Sequence, residues 1–276
     1  MKSEKIKLGL IGGGATSFIG IVHRIAAYMT EQYELTGGVW GSDLEQGKQF
    51  ARQLGLNLSR TYADLDAFIE GENKRQPSER INVVALLTPN ALHYPMAKQL
   101  IAANFNVICE KPMTFTVAEA LELEALVQTK NLVFGLAHTY TGYPMVRQMR
   151  EMIAQGEIGK VQKIDAQYYQ GWINPFIHDT EKRSEVWRLD PKKAGQSCCM
   201  GDIGIHAFNL VEYTTGLTIE RVLADIDTLY EDNVLDVDGT AIFRTHDGVR
   251  GIIRASQIAT GEENNLTLAI YGDQGS

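Results

Sequence analysis

An apolar run over residues 6–11 ends on three consecutive glycines, Gly12, Gly13 and Gly14. Helical spacing follows over 18–29 through Phe18, Ile21, Val22, Ile25 and Ala26. A short continuous apolar run suits a strand buried on both faces, and glycines at its end permit a tight turn into a helix. The pattern then recurs. Strand signals at 35–39, 81–87, 106–109 and 132–136 alternate with helical signals at 44–54, 65–69, 91–102 and 117–127. Such alternation predicts an α/β fold built on a doubly wound parallel sheet.

The pattern changes near residue 140. A helix at 146–153 and a half-exposed strand at 161–168 precede a stretch, 171–200, that reads as loop and holds Trp172, Trp187 and Arg188. A helix is predicted at 205–214, then strands at 222–229, 240–244, 249–257 and 266–271. Strand following strand implies a mostly antiparallel sheet with one face covered. The 276 residues suit two domains, expected at 1–138 and 139–276 with no low-complexity linker between them.

Composition removes several function classes. A net charge of −8 with no run of Lys or Arg argues against a nucleic-acid groove or an anionic-membrane patch. Of the three cysteines, Cys198 and Cys199 are adjacent and Cys109 stands alone, so no disulfide framework or zinc spacing is present, and a reducing, cytoplasmic setting is expected. Residues 1–5 lead straight into the first strand, and Lys7, His23 and Arg24 interrupt the apolar stretch after it. It reads as neither a signal peptide nor a membrane span.

The turn Gly12-Gly13-Gly14-Ala15-Thr16-Ser17 has the strand-before, helix-after context of a dinucleotide fingerprint. Gly12 would make the tight turn. Gly14 would let the backbone approach a pyrophosphate seated at the helix N-terminus, close to Ala15 and Thr16. Ser17 takes the third glycine position and could offer its hydroxyl to a phosphate. The structural alternative is a plain strand–helix turn. An acid that would hold the adenosine ribose is expected some 20 residues on. The best register puts Gly41 there, with Ser42 next and Asp43 as the cap of the following helix. No arginine follows immediately, so NAD and NADP stay open.

Ligands of open α/β sheets bind beyond the carboxyl ends of the strands. Thr88, Pro89 and Asn90 lie there, as does Lys111 in Glu110-Lys111-Pro112. Alone, that triplet reads as a solvated pair before a helix-starting proline. Asp202 and His206, four apart, would share a helical face, where a carboxylate can set the tautomer and raise the basicity of the imidazole. The structural alternative makes Asp202 a helix cap and His206 a core residue. Zinc on Asp202, His206 and Cys198 or Cys199 lacks any supporting spacing, and no metal is expected. Cys198 and Cys199 read as fillers of an apolar loop, and His93, His138 and His178 as structural or cleft-lining.

These motifs in this order resemble the Gfo/Idh/MocA oxidoreductases over essentially the whole chain. The matching segments are 10–20, Thr88-Pro89-Asn90 with His93, Glu110-Lys111-Pro112, Gly156-Glu157-Ile158-Gly159, Trp187-Arg188, and 201–206. The resemblance implies a Rossmann domain followed by an α/β domain with a large open sheet serving as an interface for a homodimer or homotetramer. It implies NAD or NADP as cofactor and a sugar, inositol or related polyol as substrate. Lys111 would hydrogen-bond the reacting oxygen, His206 would be the general acid/base, and Asp202 would orient substrate and His206. Gly12, Gly14, Ala15, Thr16, Ser17 and Ser42 would meet the dinucleotide, and Thr88, Asn90, His93 and Glu110 would line its nicotinamide half. Trp187 and Arg188 would pack near the cofactor. The chemistry agrees: alcohol oxidation needs a base for the hydroxyl proton and a cation near the developing alkoxide.

Two departures stand out. The glycine-rich stretch that often precedes Asp-x-x-x-His is replaced by Gly195-Gln196-Ser197-Cys198-Cys199-Met200. Family members usually run longer, and this chain stops at Gly275-Ser276 just after a predicted strand, so later strands of the sheet are expected to be missing. Rival functions are a non-catalytic dinucleotide sensor, a reductase of a cyclic imine or tetrapyrrole, and a C–O bond-cleaving enzyme that uses NAD transiently. Retention of Lys111, Asp202 and His206 together argues for the dehydrogenase.

Overall fold

The structure, a computed structural model, describes residues 4–229 and 233–276, so residues 1–3 of the expected lead-in lie outside it. The chain divides into two units, Met1–Ala137 and His138–Ser276.

The first unit runs β1 (Ile6–Gly12), α1 (Phe18–Met29), β2 (Tyr33–Val39), α2 (Leu44–Gln53), α3 (Leu65–Asn73), β3 (Val83–Leu87), α4 (His93–Ala102), β4 (Asn106–Cys109), α5 (Val117–Lys130) and β5 (Phe134–Leu136). Every strand pair is parallel, in the order β2-β1-β3-β4-β5. Successive side chains point to opposite faces of a strand, and β3 shows it. Val84 and Leu86 pack with Phe68, Leu100 and Leu123 on one side, while Ala85 and Leu87 pack with Trp40, Phe50 and Ala51 on the other. Burial on both faces explains why the strands read as unbroken apolar runs. Strand order reverses between β1 and β3, the point where such sheets take up ligands. Gly12 pairs there with Leu87, so the glycine turn and Thr88 leave neighbouring strands.

Two local features differ from the expectation. The apolar stripe of α1 points outward, with Phe18 80% exposed and Ile25, Tyr28 and Met29 also exposed. Its buried residues are the small Gly20 and Ala27, which bring the helix close to the sheet. Helix α3 extends well past residue 69, to Asn73. Its last turn carries the fully buried Glu72, whose carboxylate accepts from Arg60 Nη2 (2.6 Å), the Tyr62 hydroxyl (2.7 Å) and the Ile81 amide (2.9 Å). That network ties the end of the helix to the chain entering β3.

The second unit runs α6 (Pro144–Ala154), β6 (Val161–Tyr169), α7 (Asn174–Ile177), α8 (Thr180–Glu185), α9 (Pro191–Ala194), α10 (Ile205–Thr215), β7 (Ile219–Asp227), β8 (Asp238–Thr245), β9 (Arg250–Ser256) and β10 (Asn265–Gly272). Sheet order is β10-β6-β9-β8-β7, antiparallel except for the parallel β6–β9 pair at its centre. Ala207 and Val211 of α10 pack on Ile164, Phe243, Ile253 and Ile270 and cover one face. On the other face, Leu223 lies opposite Ile242 and Ile242 opposite Ile252, with Leu223 73% exposed.

The stretch 171–200 is not the loop expected. It holds α7, α8 and α9, capped in the last two cases by Asp179 and Asp190. α7 and α9 contribute Ile177 and Ala194 to a satellite core with Ile173, Leu189, Leu235 and Val237. Helices of four to six residues are too short to show a 3.6-residue period, which is why they read as loop. Among the described residues no helix is long and apolar enough to cross a membrane.

Candidate active site

In the first unit the glycine turn is built at the strand-order reversal. Gly12 has φ +85°, and a Cβ there would stand 2.6 Å from the Leu87 carbonyl oxygen, so only glycine makes this turn without strain. Gly14 meets a constraint from within the protein. Its missing Cβ would sit 2.1 Å from the Trp40 carbonyl oxygen, so the close approach that demands glycine is to the chain leaving β2. Ser17 caps α1, its Oγ accepting from the Gly20 amide at 3.1 Å. The third-glycine role falls to Gly20, where a Cβ would meet the Gly13 carbonyl oxygen at 2.3 Å. Ala15 and Thr16 are exposed at the tip of the turn. Arg24, noticed in the sequence only as an interruption, donates from Nη1 to the Gly13 carbonyl at 2.7 Å and lies over the Phe50 ring.

Past β2, Gly41 has no atom within 4 Å of a would-be Cβ, and Ser42 is exposed beside it. Asp43 caps α2, accepting from the amides of Glu45 (2.9 Å) and Gln46 (3.0 Å). Its carboxylate is therefore committed to the helix. Thr88 Oγ1 is buried with no hydrogen-bond partner among the described residues, the state of a group that a ligand would satisfy. Asn90 opens a short 3₁₀ turn before α4.

His93 is 0% exposed, with Nδ1 2.7 Å from the Pro112 carbonyl oxygen and Nε2 2.9 Å from that of Thr88. Burial holds its pKa below the ordinary imidazole value, against the pull of those two carbonyls. The ring lies between the two carbonyls, so His93 links the Thr88 turn to the Lys111-Pro112 turn. Glu110 is buried, its Oε1 accepting from His23 Nε2 at 2.8 Å and its Oε2 from the Lys111 amide at 3.3 Å. It thereby anchors the turn that carries Lys111 to α1. The Lys111–Pro112 peptide is cis. A glycine turn at a helix N-terminus, open space at Gly41 and an orphaned Thr88 hydroxyl together fit a dinucleotide.

In the second unit a π-helical turn, Met200–Gly204, runs into α10. Asp202 does not cap it. The Asp236 carboxylate accepts from the amides of Cys198 (2.7 Å) and Met200 (2.6 Å), and Ser197 Oγ from that of Gly201 (2.7 Å). The simple helical face expected for Asp202 and His206 is also changed, because the residues between them are π-wound, a local widening that recurs at functional sites.

Relieved of capping, Asp202 accepts through Oδ2 from Gln257 Nε2 at 2.9 Å and pairs with Arg188 Nε at 3.1 Å. The Arg188 guanidinium lies over the Trp187 ring at 4.5 Å. In this unit Trp187 and Arg188 thus support Asp202. His206 is 7% exposed, its ring centroid 4.8 Å from Tyr140, 5.8 Å from His138 and 6.1 Å from Tyr168. The Tyr140 and Tyr168 hydroxyls are hydrogen-bonded to each other, and Tyr168 donates to Asn264 Oδ1 at 2.5 Å. Burial and the Tyr140 contact push the Tyr168 phenol far above its ordinary value, so it stays neutral. The imidazole is therefore packed against the rings of Tyr140, His138 and Tyr168, which restrict its orientation. Sequence reasoning missed Tyr140, Tyr168, Asp236 and Gln257. The only signal for the last two was the cost of burying a carboxylate and an amide, which needs a partner. Among the described residues no group of three or more His, Cys, Asp or Glu side chains is placed to hold a metal ion.

Comparison with known proteins sets this geometry in a family. The model of an oxidoreductase family with an NAD-binding Rossmann fold matches residues 6–138, and that of the GFO/IDH/MocA C-terminal domain matches 146–276. An uncharacterized oxidoreductase of Bacillus subtilis, YfiI, is 32% identical over 99% of this chain and 70% of its own length. The levoglucosan dehydrogenase of Pseudarthrobacter phenanthrenivorans is 26% identical over 99% of this chain and 73% of that protein. Among solved structures, an inositol dehydrogenase homologue from Azotobacter vinelandii complexed with NAD+ matches with a TM-score of 0.92 at 30% identity, over 98% of this chain and 69% of that one. The chain belongs to the Gfo/Idh/MocA family of oxidoreductases, with an NAD-binding Rossmann fold in its N-terminal half.

Proposed function

We propose that the protein is an NAD(P)-dependent dehydrogenase that oxidises a secondary alcohol of a sugar, inositol or related cyclic polyol. The observation that carries this reading is that the second unit holds a carboxylate and an imidazole, four residues apart, each in its own built setting. Asp202 is held by an amide and a guanidinium, and His206 is fixed among aromatic rings. A protein that only sensed a dinucleotide would have no use for such a pair. A relative named levoglucosan dehydrogenase and a solved inositol dehydrogenase homologue point to ring-shaped, hydroxyl-rich substrates.

In this reading His206 takes the proton of the reacting hydroxyl, and Asp202 accepts from a neighbouring hydroxyl and so orients the ring. Lys111 hydrogen-bonds the reacting oxygen and offsets its developing negative charge. The nicotinamide, when bound, supplies the hydride-accepting carbon. Thr88 offers its unpartnered hydroxyl to that half of the cofactor, while Glu110 and His93 hold the turn bearing Lys111. We also read the open sheet face bearing Leu223, Ile242 and Ile252 as the surface of a homodimer or homotetramer, because apolar side chains in register across three strands favour a covering partner.

The test is nicotinamide absorbance with NAD and with NADP against inositols, aldoses and anhydro sugars, using His206→Ala as control. Turnover by the wild type that is lost in the variant supports the reading. Dinucleotide binding without turnover across the panel contradicts it and favours a sensor.

A further inference from the structure

The Asp202 carboxylate is reached by a buried amide whose own orientation is imposed from its far side. Gln257 follows the end of β9 and is 0% exposed. Its backbone is pinned at both polar atoms: the amide donates to the Val237 carbonyl at 2.9 Å, and the carbonyl accepts from the Ile173 amide at 3.3 Å. Its side chain spans two partners. Nε2 donates to Asp202 Oδ2 at 2.9 Å, and Cys198 Sγ donates to Oε1 at 3.1 Å.

The direction follows from chemistry. An ionised carboxylate only accepts hydrogen bonds, so the NH₂ end of the amide must face Asp202. That leaves Oε1 facing Cys198, a buried thiol with one proton to give. Were the amide reversed, two oxygens would confront each other across 2.9 Å. Cys198 is itself immobile, its amide held by the Asp236 carboxylate at 2.7 Å and its carbonyl accepting from the Asp202 amide at 2.8 Å. Gln257 thus donates the hydrogen bond to Oδ2, while the Arg188 guanidinium lies at ion-pair distance from the same oxygen, 3.1 Å, and adds charge there.

We propose that Gln257, oriented by the Cys198 thiol, is a positioning residue that fixes the Asp202 carboxylate for the polyol, and that Cys198 is a hydrogen-bond donor in this role and not an inert filler. The inference rests on the reading of Asp202 as a substrate-orienting group.

The test is steady-state kinetics of the full chain, with the polyol on which the wild type reduces NAD, for Gln257→Leu, Cys198→Ala, Cys198→Ser and Asp202→Asn. Thermal melts and NAD titrations are run on each variant. Groups that orient a metal-ligating side chain are typically worth about ten- to a hundredfold, and a group orienting a substrate-binding carboxylate is expected to act on the same scale. Gln257→Leu and Cys198→Ala should therefore lose roughly that factor in kcat, with NAD affinity unchanged. Cys198→Ser keeps a donor at the same place and should recover most of the loss, which packing alone would not explain because alanine and serine are close in size. Wild-type kcat in folded Gln257→Leu and Cys198→Ala, with Asp202→Asn inactive, would overturn the inference and leave the site reading intact. Equal losses in Cys198→Ala and Cys198→Ser would overturn the donor role. Wild-type turnover by Asp202→Asn would instead remove the site reading, and the inference with it.

Discussion

Replacing Gly14 by alanine separates two accounts of the glycine turn. The fingerprint pattern places its close approach at a bound pyrophosphate, so the variant should fold normally and fail only to bind nucleotide. The structure places that approach within the protein. A Cβ at residue 14 would lie 2.1 Å from the Trp40 carbonyl oxygen, where ordinary contact begins at 3.4 Å, so the oxygen must retreat by ~1.3 Å. It is a backbone atom next to a buried indole, and no flexible side chain can swing aside to relieve the overlap. Overpacking of this kind costs about 1–3 kcal/mol, and a backbone obstacle puts it toward the upper end. For a unit of this size that corresponds to a fall in melting temperature of roughly 5–15 °C. The assay is thermal unfolding by circular dichroism without nucleotide. Gly135→Ala serves as control because its added Cβ has nothing within 4 Å. A nucleotide-free Gly14→Ala protein that melts with the wild type, yet no longer binds NAD, would refute the structural account and restore the pyrophosphate one.

Lys111→Ala and His206→Ala should each lower turnover by about 10²–10⁴-fold while dinucleotide still binds; unchanged rates in both would remove them from the chemistry. Ser42→Asp introduces a charge at the exposed position next to Gly41, without the strain that a side chain would meet at Gly41's φ of +150°, and should weaken NADP relative to NAD by roughly tenfold or more through repulsion of the 2′-phosphate. Equal titrations of the two cofactors before and after would show that the ribose lies elsewhere. Glu72 carries a pH dependence. Burial raises its pKa, but hydrogen bonds from Ile81, Tyr62 and Arg60 outweigh burial and leave it below the ordinary glutamate value. A folded pKa below the unfolded one gives stability that is present above the unfolded pKa and is lost as pH falls through the folded one. In urea unfolding across the acid range, Glu72→Gln should begin about 3–5 kcal/mol less stable, because it leaves Arg60 buried without its counter-charge. It should also fall less steeply with acid; an identical acid slope would deny Glu72 that role.

Much of the frame was legible in the sequence. The strand at 106–109 and the helix at 18–29 coincide with β4 and α1, because apolar runs bounded by glycine, proline or polar residues leave little choice of element. What that helix faces was not legible: its apolar spacing suggested a buried stripe, yet Gly20 against the Gly13 carbonyl decides which side meets the sheet. Lys111, Asp202 and His206 were singled out because their residue types carry chemistry at a recognisable spacing. The groups that hold them were not found, since a buried glutamine 55 residues from its aspartate has no spacing to betray it. The π-turn was equally hidden, because hydrophobic periodicity reports which face is buried and not how the backbone is wound. His93 shows the converse. Its position beside Thr88 suggested a ligand contact, and only three-dimensional placement shows the ring set between the Pro112 and Thr88 carbonyls.

The account's central claim is hydride transfer from a polyol carbon with His206 as the proton acceptor. Its most direct test is a single-turnover reaction with polyols deuterated at their carbinol carbons, followed by mass analysis of the nucleotide. Wild-type protein should return nicotinamide one deuterium heavier, in net reduced form, and His206→Ala should return almost none. Product formed from the polyol with no deuterium left on the nucleotide and no net reduction would contradict the claim and show chemistry in which the dinucleotide is only a transient participant.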